Sequence, residues 1–160
     1  MSLPDPGPRY SILGTLGQGA FGAVFRAFDR ELNREIALKC MIAQADEHDP
    51  GVQVARFLSE AAVLQGLCHP GVCSVLDAFI RGGEAWLGLE LVPGESLEEF
   101  VIRAGPQDEA AAAGIMERSL EPLLYLPSRT PPVVHPDIKP ANLRLTPDGR
   151  IVLSPKRRHR

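Results

Sequence analysis

Cysteine is scarce in this sequence, and long apolar runs and an N-terminal targeting pattern are absent. The three cysteines, Cys40, Cys68 and Cys73, show no C-x-x-C spacing, which argues against a zinc site and a disulfide framework. No run of about 18 apolar residues occurs, and the N-terminus lacks a basic region followed by an apolar one. These absences predict reduced thiols and a cytoplasmic chain without a membrane segment.

The charge of the chain is mildly acidic. Four of the 17 Lys and Arg residues stand in the last five positions, so the rest of the chain carries 13 basic and 20 acidic residues. This balance does not suggest nucleic-acid binding, and residues 154–160 are predicted to form a solvated basic tail. The length of 160 residues, with 44% hydrophobic and 23% charged residues, is typical of a globular domain with a core.

A polar octet at residues 135–142 stands between two apolar runs and reads His-Pro-Asp-Ile-Lys-Pro-Ala-Asn. Asp137 could accept a proton from a hydroxyl, and Lys139 could balance the charge of a migrating phosphoryl group. Asn142 could bind a hard cation through its amide oxygen. Taken alone, the octet also suits a polar turn.

Two predicted strands, at residues 10–17 and Gly22–Asp29, flank a turn with the spacing G-x-G-x-x-G. In a dinucleotide-binding fold this spacing should open a helix, but residues typical of strands follow Gly22. A hairpin is therefore favoured, whose backbone N–H groups could approach phosphate closely, and several of its glycines are expected to need positive φ. A hairpin without a ligand is the alternative.

The next two predicted elements contribute a lysine and a glutamate. The strand Arg34–Met41 alternates so that Ala37 and Lys39 share one face. A helix is predicted at residues 53–67, and its apolar stripe contains Phe57, Ala61 and Leu64. Glu60 lies inside this stripe, where an unpaired carboxylate would be costly, so the pattern predicts a cation across the interface. The alternative is a position at the margin of the stripe, reaching water.

Strands at residues 75–80 and 85–91 and two helices are predicted next. Residues 96–99, Ser-Leu-Glu-Glu, form a capping box for the first helix, and Asp108 can cap the second, longer one. Pro122 falls inside the longer helical pattern, where a proline costs about 3 kcal/mol.

These motifs, in this order, resemble those of the eukaryotic-like serine/threonine protein kinases of bacteria. The octet is similar to H-R-D-x-K-P-x-N, and the strand Arg34–Met41 is similar to V-A-I-K. The resemblance implies an α+β fold with a protein-kinase-like small lobe, made of a five-stranded antiparallel sheet plus one helix, and a truncated helical start of the large lobe. The expected divisions are a leader at 1–9, the small lobe and hinge at 10–92, the partial large lobe at 93–153 and the tail at 154–160.

The resemblance also implies an ATP site and a protein substrate with serine or threonine hydroxyls. The residues expected to bind the nucleotide are Leu16, Gly17, Gly19, Gly22, Val24, Ala37, Lys39, Glu90 and Val92, with Leu89 as gatekeeper. The expected catalytic residues are Asp137, Lys139, Lys39 and Glu60. Lys39 would be the cation that pairs with Glu60, and Asn142 would bind Mg²⁺.

Two departures from the family pattern bear on function. Pro136 stands where the family has arginine, and Ser154-Pro155-Lys156-Arg157 stands where the family has D-F-G, whose aspartate binds magnesium. The magnesium site is therefore expected to be incomplete. We interpret the chain as truncated before D-F-G, so that the face of the long helix left uncovered predicts self-association.

Three hypotheses follow from the resemblance and its departures. The chain is a kinase with phosphotransfer activity, a nucleotide-binding pseudokinase or interaction module, or a truncated or frame-shifted product without activity. We expect weak ATP binding and no appreciable protein kinase activity from the chain as written.

Overall fold

The computed structural model describes residues 4–19, 22–41, 50–135 and 137–154, so Pro136 and most of the basic tail lie outside the described residues. The chain forms two units. The first contains Met1–Leu67 and Ser74–Leu91, and the second contains Cys68–Cys73 and Val92–Arg160.

Five antiparallel strands form the sheet of the first unit, in the order β1-β2-β3-β5-β4. Their bounds are β1 Tyr10–Gly19, β2 Gly22–Asp29, β3 Arg34–Met41, β4 Val75–Arg81 and β5 Glu84–Glu90. In β3, Ile36 and Leu38 are fully buried, whereas Ala37 and Lys39 on the other face are half-buried. The alternation had predicted this division of faces, and the predicted five-stranded antiparallel sheet is confirmed.

The helix α1 spans Pro50–Gln65 and packs on β4. It begins at Pro50 rather than at residue 53, because proline suits the first turn of a helix, where no N–H is needed. It ends before residue 67, where the Gly66 N–H lies within hydrogen-bond distance of two successive carbonyl oxygens. Phe57 and Ala61 are buried, as the apolar stripe predicted.

The described part of the second unit contains two α-helices, two short 3₁₀ helices and a small sheet. The helices are α2 Leu97–Ala104 and α3 Glu109–Tyr125, and the strands are β6 Glu95–Ser96, β7 Leu143–Leu145 and β8 Ile151–Leu153. The predicted capping box is confirmed, because Ser96 Oγ accepts from the Glu99 N–H at 3.1 Å and Glu99 Oε2 accepts from the Ser96 N–H at 2.7 Å. The Asp108 cap is confirmed too. Within the described residues, no helix is long and apolar enough to cross a membrane.

The helix α3 continues through Pro122 to Tyr125. Pro122 is fully buried, and a Cβ placed on Gly71 would lie 3.1 Å from the proline Cδ. Because Gly71 has no side chain, the ring of Pro122 can occupy the space beside it. Burial of this ring offsets part of the cost, about 3 kcal/mol, of a proline inside a helix.

The segment Cys68–Cys73 lies between α1 and β4 in the sequence but belongs to the second unit. The Leu153 N–H donates to the Gly71 oxygen at 2.8 Å, and the Cys73 N–H donates to the Leu153 oxygen at 2.9 Å. The Cys68 N–H donates to the Tyr125 hydroxyl oxygen at 2.9 Å. The hydrogen bonds therefore connect the segment to β8 and α3. The sequence analysis placed this segment in the small lobe, residues 10–92, whereas its hydrogen-bonding partners belong to the second unit.

Candidate active site

One row of paired residues crosses the sheet of the first unit. Gly17 of β1 pairs with Val24 of β2, Val24 pairs with Lys39 of β3, and Lys39 pairs with Leu87 of β5. Directly opposite residues of neighbouring strands share a face, so the structure brings Val24 and Lys39 together on the face that Ala37 also occupies. Three of the predicted nucleotide-binding residues thus lie side by side.

The glycines at the two ends of the loop differ in their surroundings. Gly22 has φ of 135°, and a Cβ placed there would lie 2.1 Å from the backbone oxygen of Cys40. The sheet itself therefore requires a glycine at position 22. Gly17 does not have positive φ, and a Cβ placed there would meet no atom of the described residues within 4 Å. Packing against the described residues thus does not explain the glycine at position 17. Ala20 and Phe21 lie outside the described residues.

Leu16 and the predicted hinge occupy less regular positions. Leu16 is 52% exposed and has no partner in the register of β1 with β2. The gatekeeper position, Leu89, is buried in β5. Glu90 ends β5, where its N–H donates to the Ser74 oxygen at 2.9 Å and its carboxylate accepts from the Ser74 hydroxyl at 3.1 Å. Val92, at the start of the second unit, is half-buried.

Glu60 is less buried than its position in the apolar stripe suggested. Its side chain is 42% exposed, and its Oε1 lies 3.3 Å from Nε of Arg56, one helical turn earlier. The neighbours Phe57 and Ala61 are buried, so Glu60 lies at the margin of the stripe. Arg56 is thus a described partner of Glu60, and the pairing of Glu60 with Lys39 stays a prediction.

The octet of the second unit brings three predicted site residues together. Lys139 Nζ lies 3.3 Å from Asp137 Oδ2. The Asn142 amide nitrogen donates to the same carboxylate oxygen at 3.2 Å and to the Asp137 backbone oxygen at 2.6 Å. A cation and an amide therefore hold the carboxylate at the surface, where it remains about one-third exposed. A carboxylate held in this way could orient a hydroxyl and accept its proton.

His135, the first residue of the octet, and Ser154 make contacts that the sequence analysis did not predict. His135 Nε2 lies 3.1 Å from the Ser154 oxygen, and its Nδ1 lies 3.3 Å from the Asp137 nitrogen. The tautomer protonated on Nε2 fits both contacts, donating to Ser154 and accepting from Asp137. The Ser154 N–H donates to the backbone oxygen of Asn142 at 2.9 Å. A histidine two positions before the acid was the available signal for this anchoring.

The residues near Asn142 do not by themselves fit a magnesium ion. Mg²⁺ at phosphate sites is usually bound through one or two carboxylates together with phosphate and water. Asn142 offers an amide oxygen, but the carboxylate beside it, that of Asp137, already contacts Lys139. Among the residues that the structure describes, no group of three or more His, Cys, Asp or Glu side chains could hold a metal ion.

Comparison with known proteins identifies the family. The family model described as "Protein kinase domain" matches residues 10–154. The chain is 31% identical over 154 residues to Serine/threonine-protein kinase PAK 1 of Mus musculus and 31% identical over 151 residues to Serine/threonine-protein kinase MST20 of Pyricularia oryzae. It is 30% identical over 152 residues to Cell division control protein 2 homolog 3 of Trypanosoma brucei brucei.

These matches cover most of this chain and a minor part of each relative. They include 96%, 94% and 95% of the chain but 27%, 16% and 47% of the three relatives. The family match spans the glycine loop, Lys39 and the octet alike, and the small-lobe sheet has the expected architecture. The chain belongs to the protein kinase family.

Proposed function

We propose that this chain binds ATP through its first unit and that its family reaction is phosphoryl transfer from ATP to serine or threonine hydroxyls. The observation that carries the proposal is the row Gly17, Val24 and Lys39. On this face of the sheet, Gly17 has no described atom within 4 Å of where its Cβ would be, Val24 supplies an apolar side chain and Lys39 supplies a cation. An adenine needs the apolar surface, and phosphates need the cation and a closely approaching backbone.

Nucleotide binding can be tested by isothermal titration of ATP into the folded chain, with and without Mg²⁺. We expect weak binding that magnesium strengthens little, because the donor set at Asn142 does not fit the metal. Lys39→Met should weaken binding further. Arg103→Met, which removes an exposed cation of the second unit that pairs with Glu95, is the matched control and should leave ATP binding unchanged. A wild-type chain that is folded but binds no nucleotide refutes the proposal.

We further propose that the chain as written has no appreciable transfer activity. Phosphoryl transfer is catalysed by positioning and charge neutralisation, so Asp137 and Lys139 act only when metal and acceptor are held opposite them. The test is a radiolabelled-ATP assay on monodisperse protein with a generic basic substrate. Transfer that disappears in Asp137→Asn would refute this proposal and would support full kinase activity. ATP binding without transfer would support the pseudokinase hypothesis.

The surface of α3 supports a tendency to self-associate. Met116, Leu120 and Leu124 follow one another at helical spacing and are 63%, 49% and 68% exposed. We expect a second copy of the chain to cover these side chains at high concentration, because contiguous apolar surface favours association. Sedimentation velocity should show association that Leu120→Glu reduces. A wild-type chain that stays monomeric would contradict this expectation. We also propose that the chain is located in the cytoplasm.

A further inference from the structure

A partly buried ionic cluster lies at the end of the sheet where β1 begins. We call the side chains of Arg9, Asp29 and Asp77 the Arg9 cluster. The Arg9 guanidinium donates to both carboxylate oxygens of Asp29, at 3.0 and 2.7 Å, and to Asp77 Oδ2 at 3.0 Å. Asp29 is fully buried and also accepts from the backbone N–H groups of Glu31 and Leu32. Bidentate contacts of this kind fix orientation as well as position.

The Arg9 cluster connects the two edges of the sheet. β1 and β4 are the outermost strands in the order β1-β2-β3-β5-β4, yet Arg9 directly precedes β1 and Asp77 lies in β4. The Tyr10 hydroxyl also donates to Asp77 Oδ2 at 2.5 Å, and the Tyr10 ring stacks on Phe79 of β4 at 5.3 Å. The sheet is therefore curled until its edges meet, and the cluster fastens β1 at this point.

The Arg9 cluster lies at the end of the β1–β2 hairpin that is opposite its loop. Tyr10 pairs with Asp29, and the Arg30 N–H donates to the Arg9 oxygen at 3.0 Å. Towards the loop, the register shifts twice, and the two residues left without partners are Leu13 and Leu16. Each bulge places an extra residue in β1 and redirects the side chains near it. The direction of Leu16 therefore depends on where the open end of the hairpin is held.

We propose that the Arg9 cluster is a positioning element of the nucleotide site, holding β1 in the register that keeps Leu16 bulged and Gly17 opposite Val24. The inference rests on the proposed binding of ATP to the first unit. Flexible, glycine-rich strands specify register weakly, so slippage is prevented from the far end of the hairpin. Without the cluster, β1 can shift along β2 and lose one of its two bulges. Leu16 and Gly17 then lose their places in the nucleotide site.

The test uses the full chain with the double variant Arg9→Met/Asp29→Asn. This variant removes the ion pair without leaving the fully buried Asp29 position charged, and Asn keeps an oxygen for the backbone donors near position 31. Asp77, which is partly exposed, keeps the hydrogen bond from the Tyr10 hydroxyl. Tyr10→Phe, which releases only the contact to Asp77, is a milder second variant. The matched control is Arg103→Met, which removes an exposed bidentate pair with Glu95 in the second unit. Titrations with ATP are made at temperatures where each variant is folded, so that a change in global stability does not alter the measured affinity.

We expect the double variant to bind ATP about fivefold more weakly or worse, Tyr10→Phe to lie between it and wild type, and the control to change less than twofold. Hydrogen exchange should accelerate at residues 11–17 but not in β3. Unchanged affinity in the folded double variant would overturn the proposal. If the wild-type chain binds no nucleotide, the proposed function is wrong. The effect of the Arg9 cluster on the position of β1 is then tested by hydrogen exchange alone. Unchanged protection at residues 11–17 would then overturn it as well.

Discussion

Gly22→Ala should strongly destabilise the first unit, whereas Gly17→Ala should not. A Cβ at position 22 would lie 2.1 Å from the Cys40 oxygen and 3.1 Å from the Cys40 carbonyl carbon, both backbone atoms of β3 that cannot rotate away. The φ of 135° adds strain of about 1–3 kcal/mol for a residue other than glycine. With the displacement of β2 from β3, we expect a total loss of about 3 kcal/mol or more, among the larger effects of point mutations.

Thermal unfolding followed by tryptophan fluorescence measures this loss in the first unit. Trp86 is the one tryptophan of the sequence and is fully buried in the core of that unit. For a domain of 60–100 residues, about 3 kcal/mol lowers the unfolding temperature by about 12 °C or more. Gly17→Ala should leave this temperature within a few degrees and weaken ATP binding instead. Equal destabilisation by the two substitutions, or a Gly22→Ala chain as stable as wild type, would refute the geometric argument.

Two further predictions concern charged groups of the first unit. Lys39→Met and Glu60→Gln should each weaken ATP binding, and titration of the double variant should give a less than additive effect if the two side chains interact. Fully additive effects would argue that they do not meet. The hydrogen bonds from the Arg9 guanidinium hold the pKa of Asp29 below its ordinary value of 3.8. The stabilisation from the charged carboxylate is therefore fully present above pH 3.8 and is lost as the pH falls through the lowered pKa. The unfolding temperature reported by Trp86 should therefore decrease as the pH is lowered below about 4, and it should decrease less in Arg9→Met/Asp29→Asn. The same dependence of the unfolding temperature on pH in both proteins would contradict this prediction.

The strands and caps could be predicted because their signals are local. The alternation in β3 and the turn glycines between β4 and β5 fixed these strands to within a residue or two. The caps at Ser96 and Asp108 depend on residues three positions apart. The octet was recognisable for the same reason, since Asp137, Lys139 and Asn142 stand within six positions of one another and meet in space.

The features that the sequence did not reveal depend on residues far apart in the chain. The sequence predicts that Arg9 belongs to a leader, whereas in the structure its partner Asp77 lies 68 positions away in the chain. The two bulges of β1 follow from pairing with β2 and leave no compositional mark. The stripe on α1 located Glu60 correctly in the helix but not its exposure, because the width of the buried face depends on what packs against it.

The segment Cys68–Cys73 also has a consequence for the order of events during synthesis. Its partner Leu153 follows Cys73 by 80 positions, and both strand-like hydrogen bonds of the segment are made to that residue. At about 5–20 residues per second, a ribosome needs several seconds to add the intervening chain. During that interval β8 does not yet exist, so Val72 and Cys73, both buried in the finished protein, remain without their final cover. In the nascent chain, Val72 and Cys73 therefore gain the hydrogen-bonding partner of their segment only after almost the whole sequence has been made.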